Sequence, residues 1–160
     1  MIRVWFFVLL LLGGCASQAP LPAVMPELQL PMQLHIQREQ ADQRQDWLLI
    51  IQREQAGLRW SLMDPLGIPQ ARQLLIEGKW QADGLLPPNP EARELFAALL
   101  FAMTPHENLP ISYPAAQSQQ MQRRLDDRWR VDYRSANVFT LKLKEGLSYE
   151  ITPLNVETPQ

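Results

Sequence analysis

The strictest pattern in the sequence is an alternation of apolar and polar residues in the last third of the chain. Three stretches carry it, at residues 129–134, 139–144 and 147–151, with turn residues between them. In the first, Trp129 and Tyr133 lie on one side and arginines on the other. A period of two with one apolar face predicts antiparallel strands that bury one side of a sheet and expose the other.

The first half of the chain carries the same alternation at 32–37 and 58–63 and a continuous apolar run at 47–51, with turn residues such as Gly57 and Gly78 between the runs. With one further run after residue 120, these patterns predict strands at 32–37, 47–54, 58–63, 70–76, 79–81 and 121–125. Residues 108–119 are broken by Pro110 and Pro114. We expect that segment to be irregular, with room for one short helical turn.

One helix is predicted, over residues 91–103. Asn89 is a favourable N-cap and Pro90 fits the first helical position, while Thr104 and Pro105 end the pattern. Residues 95–103 are all apolar. A helix that is apolar around its circumference is expected to be buried on most sides.

Strands, then a helix, then strands predict the α+β class. A single helix can cover only part of the apolar face of a sheet of eight or nine strands. We therefore expect a strongly curled antiparallel sheet, a half-barrel, with this helix as its main lid or plug. Such a sheet leaves two possibilities open: an apolar cavity that binds hydrophobic molecules, or a filled core. The residues expected to line a cavity are Leu49, Ile51, Trp60, Leu62, Leu75, Leu95, Leu99, Phe101, Trp129 and Tyr133.

The N-terminus has the layout of a secretory signal. Arg3 precedes nine apolar residues, Val4 to Leu12, a run too short to span a bilayer as a helix. Leu12-Gly13-Gly14-Cys15 then resembles the lipobox of bacterial lipoproteins. The resemblance implies a signal peptide over 1–14 and acylation of Cys15, the only cysteine. The alternative is an ordinary signal followed by a chance cysteine. Ala16 after Cys15 implies sorting to the outer membrane, with the domain on its periplasmic face.

Residues 15–31 combine the expected lipidated cysteine with four prolines. Such composition favours an extended tether. The alternative is that Leu28 and Leu30 already begin the first strand. The sequence thus divides into the signal peptide, this tether, a half-barrel domain over 32–154 and a tail over 155–160. At this length we expect one domain, most simply a monomer.

The composition and side chains give little support to catalysis, nucleic-acid binding or metal binding. The formal net charge is −2, so no basic field for nucleic acid is expected. His35 and His106 lack the spaced partners of a metal or nucleophile site, and we expect no cofactor. Asp126 and Asp127 have the setting of solvated turn acids. Three arginines on one strand face could meet anionic headgroups or simply face water: Arg128, Arg130 and Arg134.

One loop combines turn chemistry with an apolar tip. In Asp64-Pro65-Leu66-Gly67-Ile68-Pro69, Pro65 favours a turn and Gly67 permits a positive φ, while Leu66 occupies the tip. This loop, the lipobox, the strand order and the helix together resemble the LolB family of outer-membrane lipoprotein receptors. The chain is also similar to short lipoproteins encoded with aryl-polyene or xanthomonadin-type pigment genes, which share Leu-x-x-Pro-Leu-Gly, here residues 62–67.

The resemblance implies an outer-membrane lipoprotein that binds or transfers a hydrophobic cargo: an acyl chain, a lipoprotein's lipid or a polyene-lipid. Cargo would arrive from a soluble LolA-like carrier. Pro65, Leu66 and Gly67 would form a loop that probes the membrane, unless Leu66 folds back onto its own sheet. A second hypothesis is an accessory lipoprotein that docks an envelope or pigment-biosynthesis complex. We do not expect an enzyme.

Overall fold

The computed structural model describes residues 18–55, 57–84 and 86–154. The predicted signal peptide over 1–14, the acylation site Cys15 and the tail over 155–160 lie outside the described residues, and those expectations stay predictions.

Ten strands form one open antiparallel sheet in the described part of the chain. The strands are β1 Met32–Gln40, β2 Gln43–Glu54, β3 Gly57–Met63, β4 Pro69–Ile76, β5 Lys79–Ala82, β6 Ala116–Gln119, β7 Gln122–Leu125, β8 Trp129–Ser135, β9 Val138–Lys142 and β10 Ser148–Pro153. Their order is β5-β4-β3-β2-β1-β10-β9-β8-β7-β6, so the first and last strands join two meanders. The α+β class and a half-barrel-like sheet are confirmed. The short edge strand β6, which lacks apolar residues to alternate, was not predicted.

The main helix, α1, spans Pro90–Met103. It begins where expected, because the side chain of Asn89 accepts a hydrogen bond of 3.1 Å from the amide of Ala92. A turn of 3₁₀ helix, His106–Asn108, and a second short helix, α2 Leu109–Ser112, follow it. This matches the expected short helical turn. Another 3₁₀ turn, Lys144–Gly146, precedes β10.

All residues from Leu95 to Ala102 are buried, although only one side of a helix can face a sheet. Other parts of the chain must therefore cover the far side of α1. Part of this cover follows α2, where the ring of Tyr113 packs edge-on against Phe101 with centroids 4.9 Å apart. The segment before β1 also packs against the core. The core of the domain is thus a sheet, a helix and an outer layer of irregular chain.

The segment 18–31 forms part of this outer layer, contrary to the expectation of a free tether. Pro22 and Pro26 are buried. Val24 is held to α2 through Ser112, whose Oγ accepts from the Val24 amide at 3.2 Å. Five further residues pack partly buried against the core: Ala19, Leu21, Met25, Leu28 and Leu30. Neither alternative for Leu28 and Leu30 holds, since the first strand starts at Met32 and the segment before it is packed rather than extended into solvent. Proline removes hydrogen-bond donors from the chain but does not prevent apolar side chains from being buried.

Candidate functional site

The ten side chains predicted to line a cavity are brought together in one cluster. Nine are buried, and Tyr133 is half-buried. Leu49, Trp60 and Leu99 are 0% exposed. Any water-sized cavity beside them would leave part of their surface accessible, so these side chains pack against one another. The burial of these side chains favours the filled-core alternative in this structure, and a cavity lined by the ten residues stays a prediction.

Two surface depressions lie at the ends of hairpins. One borders residues 119–122, and the other lies between 39–44 and the turn before β10. Neither depression is bordered by the ten core residues. The candidate site is therefore a surface feature, the loop between β3 and β4.

This loop presents two large apolar side chains to solvent. Leu66 is 84% exposed and Ile68 is 54% exposed. The alternative in which Leu66 folds back onto its sheet is therefore excluded. Pro65 is exposed beside them, and Gly67 adopts a φ of +80°, a conformation that favours glycine. Pro65, Leu66 and Gly67 lie in the loop between β3 and β4, whereas Pro69 already begins β4; a role of the loop as a membrane probe stays a prediction.

Asp64 fixes the shape of the loop. Its Oδ1 accepts hydrogen bonds of 2.9 Å from the amides of Leu66 and Ile68. The backbone of Asp64 also pairs with Gly67 and Ile68 at 3.0 Å. A carboxylate that accepts from nearby amides is a common way to hold a turn. The two apolar side chains are thus presented on an ordered loop, which lowers the conformational entropy lost on contact.

Asp64→Ala is expected to loosen this loop without unfolding the domain. Losing two exposed hydrogen bonds should destabilise the closed conformation of the loop by about 1 kcal/mol. Amide exchange at Leu66 and Ile68 should therefore be roughly fivefold faster. Hydrogen exchange followed by NMR checks this result. Asp64→Asn keeps an acceptor oxygen and should exchange more slowly than the alanine variant. Equal exchange in wild type and Asp64→Ala would contradict the assigned role.

The first turns of α1 are fastened to both halves of the sheet. Glu91 accepts from Arg38 Nε at 2.5 Å and from the Tyr149 hydroxyl at 2.8 Å. Burial alone would raise the pKa of the Glu91 carboxyl, but these hydrogen bonds and the charge of Arg38 outweigh it and hold the pKa below its ordinary value. Burial and the Glu91 carboxylate raise the pKa of Tyr149, so its hydroxyl remains a donor.

Glu94 makes the corresponding contact with β8. Its two oxygens accept from Nε and Nη2 of Arg128, both at 2.7 Å. The indole Nε1 of Trp129 donates to the same carboxylate at 2.7 Å. Trp129 is 1% exposed, so Glu94 supplies the acceptor that a buried indole requires.

The C-terminal end of α1 is held by a buried cation. Nη1 of Arg123 donates to the carbonyls of Phe101, Ala102 and Thr104, with the shortest contact, 2.7 Å, to Thr104. The hydroxyl of Tyr133 adds a bond of 2.7 Å to the Ala102 carbonyl, and burial raises the pKa of Tyr133 to about 12. A cation at this end interacts favourably with the helix dipole. The main cover of the core is therefore fastened at both ends.

Four polar candidates from the sequence pair with carboxylates. His35 contacts Asp46 at 2.9 Å. The three arginines noted in the sequence face carboxylates: Arg128 pairs with Glu94, Arg130 with Asp132 and Arg134 with Glu150. They do not form a purely cationic face for headgroups. In the described ranges, no group of three or more His, Cys, Asp or Glu side chains is placed to hold a metal ion.

The sequence matches no protein-family model. A search of curated proteins also gives no significant match. None of the helices within residues 18–55, 57–84 and 86–154 is long and apolar enough to cross a membrane.

Proposed function

We propose that this protein is an outer-membrane-anchored periplasmic lipoprotein that touches a hydrophobic cargo or the bilayer through its β3–β4 loop. The observation that carries the proposal is the ordered loop that exposes Leu66 and Ile68. The loop's Pro-Leu-Gly sequence and the half-barrel-like sheet are the features that resemble the LolB family. The cargo would be an acyl chain, a lipoprotein's lipid or a polyene-lipid, delivered by a LolA-like carrier to a monomer.

The size of the apolar tip suits a reversible contact. Full burial of one leucine or isoleucine is worth about 1.5–3 kcal/mol. Two such side chains can hold a transient contact with acyl chains but cannot replace a lipid anchor. Stable attachment requires more than one acyl chain, which acylation of Cys15 as a lipoprotein would supply.

The packed N-terminal segment supports a short distance between the domain and the proposed anchor. Only three residue steps separate Cys15 from Gln18, the first described residue. At most about 3.6 Å per residue, they span about 11 Å. An acylated Cys15 would therefore hold the domain beside the headgroups, where a small apolar loop is already close enough to contact the bilayer.

The filled core favours a second candidate, an accessory lipoprotein that docks an envelope or pigment-biosynthesis complex. A carrier with an interior site would have to move α1 or the outer segment before cargo could enter, whereas a docking protein needs no cavity. Native mass spectrometry of the mature chain carrying Cys15→Ser separates the two. A carrier should retain an acyl or polyene ligand, or take up a fluorescent fatty acid. Repeated recovery of ligand-free protein without uptake would leave the docking function.

Leu66→Glu should fold and localise normally but lose cargo transfer, because a charged tip cannot enter an apolar phase. The side chain is 84% exposed, so the melting temperature should hardly change. Leu66→Met is the matched control and should retain transfer. Recovery of hydrophobic cargo in the outer membrane of a deletion strain is the measurement. Full complementation by Leu66→Glu would show that the loop is not a hydrophobic probe.

A further inference from the structure

Three buried nitrogen donors on neighbouring strands have no hydrogen-bond acceptor. They are Nε1 of Trp60, Nε2 of Gln73 and Nε1 of Trp80. Trp60 is 0% exposed and Gln73 is 3% exposed. A buried donor without an acceptor costs about 1–3 kcal/mol, and most buried polar groups have a partner. Three in one part of the core require an explanation.

The register brings these side chains to the same face of the sheet. Trp60 on β3 is the direct partner of Gln73 on β4. Trp80 on β5 is opposite Leu75, which lies two residues from Gln73 and therefore on the same face. The rings of Trp60 and Trp80 meet edge-on, with centroids 5.6 Å apart. The three donors therefore belong to one cluster, the donor cluster.

The charge around the donor cluster favours an anionic acceptor. Arg93 Nε donates to Oε1 of Gln73 at 3.2 Å, which leaves the amide nitrogen of Gln73 as the free group. The neighbouring side chains on this face of β3 and β4 are aliphatic: Leu58, Leu62, Ala71 and Leu75. The guanidinium of Arg93 therefore lies next to Gln73, and no carboxylate lies on the same face of β3 and β4 as the donors.

The same hairpin carries the exposed loop. Trp60 precedes Met63, the last residue of β3, by three positions, or about 10 Å along a strand. Leu66 and Ile68 follow directly in the loop. Trp80 is half-buried on β5, a four-residue strand at the edge of the sheet. The donor cluster therefore begins about 10 Å from the loop, and Trp80 borders it at the sheet edge, on the side away from the loop.

We propose that Trp60, Gln73 and Trp80 form a binding site for the carboxylate of a fatty acyl ligand, reached when Trp80 turns outward from the sheet edge. This inference rests on the proposed function and specifies its ligand. The carboxylate oxygens accept from the three orphaned donors, Arg93 supplies the compensating charge, and the aliphatic chain occupies the space that the outward turn of Trp80 opens beside Leu58 and Leu75. Recognition of a negative headgroup excludes cationic amphiphiles of the same length.

Displacement of cis-parinaric acid, a fluorescent fatty acid, tests the site in the mature chain carrying Cys15→Ser. Palmitate should displace the probe and hexadecylamine should do so far less well. Trp80→Phe removes one donor and should lower palmitate affinity roughly tenfold, because a hydrogen bond to a charged group is worth about 1.5–3 kcal/mol. Loss of this donor should not lower the melting temperature of the variant, because the donor has no hydrogen-bond acceptor in the free protein.

Two further variants keep the test decisive. Trp47→Phe is the matched control, because Trp47 lies on β2 outside the donor cluster and its indole nitrogen is not one of the orphaned donors; it should leave palmitate affinity unchanged. Gln73→Glu retains an oxygen for Arg93 but repels a carboxylate, so the ratio of palmitate to hexadecylamine affinity should fall. An unchanged ratio in Gln73→Glu and an unchanged affinity in Trp80→Phe would overturn the site while leaving the proposed function intact. No binding of the probe to wild type would overturn both the site and the carrier function.

Discussion

Leu99→Ala is expected to lower the free energy of unfolding by about 2–5 kcal/mol and the melting temperature by roughly 10 °C. Leu99 lies in the middle of α1 and is 0% exposed, so truncation removes packed methyl groups and leaves a void. Urea denaturation followed by tryptophan fluorescence measures the change. Leu66→Ala is the matched control: the same substitution at a side chain 84% exposed should change stability by less than about 0.5 kcal/mol.

The size of this effect also separates the two candidate functions. A leucine that borders an open cavity has already lost part of its packing, so its truncation costs less than the truncation of a fully packed one. A loss of less than about 1 kcal/mol for Leu99→Ala would contradict a filled core in solution and favour a standing cavity. A large loss would mean that cargo enters only by displacing packed side chains, or binds outside the core.

Alternation was sufficient to predict most of the sheet. Strands β1, β3 and β8 to β10 follow from residues of period two, because burial on one face imposes that period on the sequence, whereas β2 was predicted from its continuous apolar run over 47–51. β6 could not be found in this way. Its residues, Ala116–Gln119, are small or polar, and it forms through ladder hydrogen bonds with β7 at the edge of the sheet. Nothing in its own side chains requires a strand.

The outer layer of the core was not predictable from composition. Residues 18–31 are rich in proline, which indicates the absence of regular structure but not the position of the chain. Leu21, Met25 and Leu28 are partly buried against the core, which includes every residue of α1 from Leu95 to Ala102. The near-complete apolarity of residues 95–103 was the available signal, and it could have predicted that the tether is packed.

The residues of the candidate site also differ in whether the sequence could predict their positions. Leu66 could be placed at an exposed tip because Pro65 and Gly67 define the turn locally. Gln73 could not be assigned to the core, since its orientation depends on pairing with Trp60 across a register irregularity near Met63. Pairing between strands is a property of two segments at once, and neither segment alone determines which polar residue is carried inward.

Glu94→Ala is expected to destabilise the domain by about 2–4 kcal/mol. The substitution leaves the indole N–H of Trp129 buried without its acceptor and removes two charge-assisted bonds from Arg128; an orphaned donor costs about 1–3 kcal/mol and such bonds contribute about 1.5–3 kcal/mol. Thermal and urea unfolding measure the loss. Glu107→Ala, an exposed carboxylate shortly after the same helix, should be nearly neutral.

A double-mutant cycle with Trp129→Phe isolates the buried bond. Phenylalanine has no N–H donor that could lose its acceptor. The loss of unfolding free energy caused by Glu94→Ala should therefore be smaller in the Trp129→Phe background than in wild type, by at least about 1 kcal/mol. Additive costs would show that the indole–carboxylate bond does not stabilise the domain. A clear coupling would identify Glu94 as the residue that holds α1 over β8, and therefore as the first contact to break if the helix must move for cargo to reach the core.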